Sequence, residues 1–383
     1  MFVCYKKILD FDKKITQTFA QTFASMKLII YFSFKSSIMP KKNIVTLKKI
    51  AADLGLSIST ISRSLNDHPD ISDETKERVK SYANKIKYIP NLFAKGFRSH
   101  KSNIIGVIIP NIEHSFTATL LRGIIQNAEI NGFRVIICES FNDEQKQSEL
   151  METMIQFGVD GILLSLTKKT KNVDEILEMM EHIPLIMFDR ISSKVPCTQI
   201  VIDDEDASYK AVQHLINVGK TKIAIIKESD TSNISERRYQ GYLKALKENN
   251  IPINEDLIMS SENLSNEEGR RLTRNLLSCQ EVPDAIFAIS DEAGIGAIQE
   301  LKKNRIKIPE EIAVVGFSNS KFCTVIKPNL SSVDQPGNRI GKLSVDYLIE
   351  EINSPNTTIH KTIEIKTNLI IRKSSFKPTL KLK

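Results

Sequence analysis

Between positions 57 and 66 the chain carries Ser57, Ser59, Thr60, Ser62, Arg63 and Asn66 around two apolar residues four apart, Ile61 and Leu65. Short hydroxyl side chains plus one guanidinium have the reach and polarity to meet base edges and phosphates in a DNA major groove. A helix that was only a protein surface would more often show Glu and Lys at i, i+4. A second set lies further along. Asp189 follows the apolar run 184–188, Ser290 and Asp291 follow 285–289, and Ser318 follows 313–317. Arg238 opens the segment Arg-Tyr-Gln-Gly241, and Phe116 comes after the first apolar run. A carboxylate pair, a forked donor and an aromatic face suit a polyhydroxyl ligand, which needs bidentate hydrogen bonds and a flat apolar surface. Each acid taken singly has a plainer use, as a helix N-cap or in a surface ion pair.

Motifs for turnover are incomplete. Gly219-Lys220-Thr221 looks like the end of a phosphate loop, but the first glycine that loop needs is replaced by His214. Gly294-x-Gly296 follows a strand, yet position 299 is Gln where a third glycine would stand. No Gly-x-Ser-x-Gly elbow occurs, so no enzyme, no catalytic residue and no cofactor are expected. The five cysteines (4, 138, 197, 279 and 323) form no Cys-x-x-Cys pair, and the six histidines lie far apart. Neither a disulfide framework nor a metal site is expected, and a reducing cytoplasm fits. The longest apolar stretch, 28–34, falls well short of the roughly 18 residues of a membrane span.

The elements that must hold these residues can be read from periodicity. Thr46 is placed to cap a helix over 47–54, Gly55 to make the turn, and Ser57 to cap a second helix over 58–65. Ala51, Gly55 and Ile61 have the spacing of a helix-turn-helix, with Ile61 filling the angle between the helices. Ser72 begins a third helix with Asp73 and Glu74 in its first turn and Val79, Ala83 and Ile86 facing inward. Pro90 breaks it, and Asn91 can cap a basic mini-helix over 91–99, too short to stand alone; an ordinary linker is the alternative. Residues 39–101 hold 13 Lys/Arg against 6 Asp/Glu, whereas everything after 101 holds 34 against 38. A polyanion partner is therefore expected for the basic block only. Residues 1–38 lack periodicity and precede a second methionine, Met39, so they read as a non-native or disordered extension.

From 104 onward, apolar runs at 104–109, 134–138, 161–165, 185–188, 222–226, 285–289 and 313–317 alternate with helical patterns at 116–130, 204–218, 236–249 and 338–352. Strands this apolar are buried on both faces, which predicts an α/β fold of parallel sheets with helices on each side, divisible near 201–204. Ligands of such sheets bind at the carboxyl ends of the strands.

The run 45–66, then Tyr88-Ile-Pro-Asn91 and Ile105-Gly-Val-Ile-Ile-Pro110, and the order of segments to about Arg372, resemble the lactose-repressor/galactose-repressor family. The resemblance implies an all-α helix-turn-helix head (39–90), a hinge helix (91–101), and a two-lobed domain like a periplasmic binding protein (102–383). Its lobes would be 102–202 with 331–355, and 203–330 with 356–383, the chain recrossing near Ser331 and before Ile363. It implies a homodimer on a pseudo-palindromic operator, with Ile58, Ser59 and Arg63 reading bases and Thr60, Ser62 and Asn66 on the backbone. Thr46, Ser57, Asn91 and Ala94 join the DNA-facing set, and Phe97 stands where the family usually wedges a Leu into the minor groove. Asp189 and Arg238 match effector-contacting positions, Phe116 a cleft-lining one, with Ser290, Asp291 and Ser318 beside them. The family commonly has Asp after Gly-Phe/Tyr; here Ser318-Asn319 follows Gly316-Phe317. That departure argues against a simple hexose and leaves a phosphorylated, acidic or larger saccharide. The expected protein is a cytoplasmic transcription regulator, most often a repressor in this family. An exported sugar-binding protein or an activator are the alternatives.

Overall fold

A computed structural model describes residues 45–88, 101–229, 233–354 and 359–376. The extension 1–38 and the expected hinge helix, with Asn91, Ala94 and Phe97, lie outside these residues. The chain divides into two compact units, the boundary falling between positions 91 and 92.

The smaller unit is three helices: α1 (Leu47–Leu54), α2 (Ile58–Leu65) and α3 (Asp73–Lys85). The Thr46 Oγ1 accepts from the Lys49 N–H at 3.3 Å and the Ser57 Oγ from the Thr60 N–H at 3.0 Å. Gly55 adopts φ +66° and returns its N–H to the Ala51 carbonyl, so a left-handed residue ends α1 as its position suggests. Ile50, Ile61 and Val79 are fully buried. At roughly 1.5–3 kcal/mol for each large apolar side chain, those three supply much of what holds so small a core. Tyr82 adds a hydrogen bond to Asp53 (2.8 Å), and Arg78 donates to the Leu54 carbonyl (3.2 Å), tying α3 across the end of α1.

The larger unit contains two six-stranded sheets. The first lobe runs β1 (Ile104–Ile109), α4 (Ser115–Ile130), β2 (Arg134–Glu139), α5 (Glu144–Gln156), β3 (Gly161–Leu164), α6 (Asp174–Met180), β4 (Leu185–Phe188) and β5 (Gln199–Ile202). The second runs α7 (Asp204–Asn217), β6 (Ile223–Glu228), α8 (Asn233–Glu248), β7 (Ile258–Ser261), α9 (Asn266–Leu277), β8 (Ala285–Ala288), α10 (Asp291–Lys303), β9 (Ala313–Ser318) and β10 (Ser331–Asp334). The chain then returns through α11 (Gly337–Asn353) and β11 (Thr362–Ile365) and ends at β12 (Asn368–Ile370). The sheet orders are β11-β5-β4-β3-β1-β2 and β12-β10-β9-β8-β6-β7.

Three expectations are corrected. β10 hydrogen-bonds to β9 in the second sheet and β11 to β5 in the first, so the later crossings fall after Asp334 and after Ile365. The segment from Ser331 to Asp334 therefore belongs to the second lobe, and 362–365 to the first. The sheets are not wholly parallel, because β12 runs antiparallel to β10. Finally, β1 is buried along its whole length, but the edge strand β2 is only half-buried: it has a neighbour on one side and a thinner cover.

The helices approach closely where the sequence removes side chains. A Cβ on Gly341 would lie 2.3 Å from the Leu120 carbonyl oxygen, so α11 can cross α4 at this distance only with glycine there. The crossings between lobes are fastened to one another. Asp203, buried just after β5, accepts through Oδ1 from the Thr367 N–H (3.0 Å) and hydroxyl (2.8 Å) in the last crossing. The lobes are thereby hinged at one edge, with their strand carboxyl ends facing a shared cleft.

Candidate functional site

The structure brings the polar residues of the head onto α2. Ile58 is 44% exposed, and Ser59 and Arg63 are exposed beside it. Arg63 lies 3.6 Å from Asp70, a solvent-facing pair that leaves its guanidinium free to exchange partners. Thr60 is half-buried and shares its hydroxyl with Ser57 at 2.8 Å. Ser62 differs from expectation: it is 9% exposed, turned towards the three-helix core, because it lies next to Ile61 on the inward side of the helix. Asn66 is exposed, with its amide nitrogen donating to the Ser62 carbonyl at 2.7 Å as a cap for α2. Thr46 and Ser57 are likewise engaged as N-caps of α1 and α2.

In the larger unit a cleft of about 330 Å³ opens between the lobes. All six expected residues line it: Phe116 at the start of α4, Asp189 after β4, Arg238 on α8, Ser290 and Asp291 at the start of α10, and Ser318 at the end of β9. Parallel strands deliver their carboxyl ends to one side, which is why residues so distant in sequence converge.

Their chemistry differs. Arg238 is anchored: Nε donates to Asp204 Oδ1 at 2.8 Å, Nη1 to the Ile289 carbonyl at 2.8 Å, and its plane lies 3.6 Å from the centre of the Phe317 ring. Nη2 makes no hydrogen bond among the described residues. Asp291 lines the wall but is already satisfied, accepting from the Ser332 hydroxyl and the Ser320 N–H, each at 2.6 Å. A Cβ on Gly316 would lie 2.5 Å from its Oδ1, so the strand beside it must be bare. Asp291 thus braces the 318–320 turn, and is neither the helix N-cap nor the surface ion pair that its position suggested. Ser318, at φ +118°, donates to Gln335 Oε1 at 2.7 Å.

Asp189 stands apart. It adopts φ +59°, its N–H bonds the Ile200 carbonyl at 3.0 Å, and its carboxylate receives no hydrogen bond from any described residue. Burial, reinforced by Asp204 and Glu228 and opposed by Arg190 and Arg238, pushes its carboxyl up to about 6. A carboxylate held this way lacks donors, and a ligand hydroxyl would supply them.

Sequence reading missed several cleft residues. Ser165 presents a buried hydroxyl with no partner among the described residues, and Asn142 accepts from Arg190 Nη1 at 2.8 Å. Lys168 pairs with Glu228 from the opposite lobe, and His114 lies 3.6 Å from Glu292 across the same gap. Ser165, Asn142 and Lys168 each follow a strand's carboxyl end by only a few positions, a signal that applied to them as well as to Asp189. Among the described residues no group of three His, Cys, Asp or Glu could hold a metal, and no helix is long and apolar enough to cross a membrane.

Residues 46–91 match the bacterial regulatory proteins of the lacI family, and residues 102–373 match the periplasmic binding proteins and sugar binding domain of the LacI family. The chain belongs to the LacI family of regulators. Its similarity to the NTD biosynthesis operon regulator NtdR of Bacillus subtilis is 32% identity, covering 86% of this chain and 99% of that protein. The ribose operon repressor of Haemophilus influenzae is 27% identical, with 86% and 98% covered. In fold it is similar to the lac repressor dimer bound to operator and the anti-inducer ONPF, at TM-score 0.78 and 22% identity, covering 87% and 99% of the two chains. A DNA-binding head and a two-lobed effector domain, rather than an enzyme, are thus what this LacI-family chain is built from.

Proposed function

We propose that this LacI-family regulator is a repressor whose grip on an operator is set by a sugar or sugar derivative held between the lobes. The carrying observation is the Asp189 carboxylate, without a hydrogen-bond donor among the described residues, in a cleft that Arg238 and Phe116 also line. Two fixed polar groups of opposite character and one aromatic face orient a polyol, and about 330 Å³ is of the size that small-ligand clefts occupy.

The working unit in this reading is a homodimer in the cytoplasm, its two heads on the halves of a pseudo-palindromic site with α2 in successive major grooves. Ile58 and Ser59 contribute shape and a hydroxyl, and Arg63, whose fork matches guanine O6 and N7, carries most of the base reading. Thr60 and Asn66 meet the DNA backbone in this reading, whereas Ser62, whose side chain is buried, gives no side-chain contact. Asn91, Ala94 and Phe97 complete the contact in the minor groove. Ligand couples to DNA only through a difference in its affinity for the two lobe arrangements, and roughly 1–3 kcal/mol suffices for useful control.

Genome-wide footprinting of the full chain tests this. Protected sites with two-fold symmetry, and loss of transcripts at those sites in cells carrying the protein, are the expected result. Protection without sequence preference, or higher transcription in the protein's presence, would overturn the repressor reading.

A further inference from the structure

A second hollow, of about 260 Å³, adjoins the main cleft, and both are lined by Lys168, Arg190 and Ile234. Its charge is opposite in balance. The main cleft is walled by Glu113, Asp189, Glu228, Asp291 and Glu292 against Lys168, Arg190 and Arg238, whereas the side hollow gathers Lys168, Lys171, Arg190 and Lys194 with no carboxylate among the described residues. Lys168 is answered by Glu228 and Arg190 is steered by Asn142, but Lys171 and Lys194 have no acidic partner among the described residues. Glu144 is occupied with the backbone N–H groups of Lys171 and Asn172 at 3.1 and 3.3 Å. Hydroxyls of Thr170, Ser192 and Ser193 stand on the same wall, and the start of α8 at Asn233 and Ile234 closes the other side. The dipole of that sixteen-residue helix adds positive potential at this end.

With Lys168 paired to Glu228, the like charges of Lys171, Arg190 and Lys194 remain in one concavity, and an anion among them relieves their mutual repulsion. A surface that needed them only for solubility would intersperse acids. We infer that the side hollow is an anion subsite, and that the effector is a polyol carrying a phosphate ester: the polyol faces Asp189 and the phosphate sits against Lys171, Arg190 and Lys194. A phosphate offers three acceptor oxygens, which matches three cations and the flanking hydroxyls; a carboxylate would leave some of them unanswered. This rests on the reading that the cleft holds a small-molecule effector and names its class.

The test uses inorganic phosphate as probe, titrated calorimetrically into the full chain, with sodium chloride at matched ionic strength as the reference. Lys171 and Lys194 are exposed, so the double variant Lys171→Gln/Lys194→Gln keeps the fold. Saturable phosphate binding that chloride does not reproduce, weakened about tenfold or more in the variant, is expected. No saturable binding, or equal binding by parent and variant, overturns the subsite. Operator footprinting of the same variant separates the two readings: it is expected to bind DNA as the parent does, so loss of phosphate binding alone bears on the subsite and not on the regulator.

Discussion

Arg238 and Asp204 form a 2.8 Å ion pair whose side chains are only 8% and 4% exposed, at the point where the chain first enters the second lobe. Burial raises the Asp204 carboxyl and the Arg238 guanidinium opposes it. One residue therefore does two things: it holds the start of α7 beside the hinge and lines the cleft. Removing the guanidinium strands a buried acid. Arg238→Ala is expected to destabilise the larger unit by about 3–5 kcal/mol, and Arg238→Met with Asp204→Leu to recover much of that loss. Denaturant unfolding of the three proteins measures it; a single variant as stable as the parent would show that the pair carries no weight.

Asp189 gives a pH signature. Its folded carboxyl holds its proton to about pH 6, against an ordinary value of 3.8. The folded state thus binds more protons than the unfolded one between these values, and stability falls as pH rises through that window, then levels off. At about 1.4 kcal/mol per unit the loss approaches 3 kcal/mol. Asp189→Asn removes the charge while tolerating the positive φ. The variant should melt higher than the parent at pH 8 and equally near pH 3.5. The same difference at both pH values would mean the carboxyl is not desolvated.

Arg63 is expected to decide one base. Arg63→Ala should cost about 1–3 kcal/mol on the footprinted site and relax the preference at one position in each half. Competition binding against a library of single-base variants reads this directly. Equal weakening on every sequence would demote Arg63 to a phosphate contact.

Lys168 and Glu228 close the cleft from opposite lobes, with side chains 14% and 16% exposed. Glu228→Gln keeps the shape and removes the charge attraction, so open arrangements should gain about 1–2 kcal/mol relative to the parent. Solution scattering would then show a larger radius of gyration for the variant. An unchanged profile would mean that the lobes are held by the hinge and not by this pair.

Much of this protein is set locally and was legible before any coordinates. Thr46, Gly55, Ser57 and Ile61 specify the head because caps, a left-handed turn and one buried β-branched residue act within a few positions of each other. Asp189, Ser290, Asp291 and Ser318 could be placed together because parallel strands end on a common side. What the tertiary structure alone decided is pairing over long separations. Which sheet receives β10 and β11 depends on hydrogen bonds to β9 and β5, and nothing within either short strand encodes its neighbour. The same holds for polar groups. Asp189 and Asp291 look alike in sequence, yet Ser332 and the Ser320 backbone satisfy one while the other faces the cleft unanswered. Local chemistry assigns a residue to an element; only the packed chain determines whether its charge is already spent.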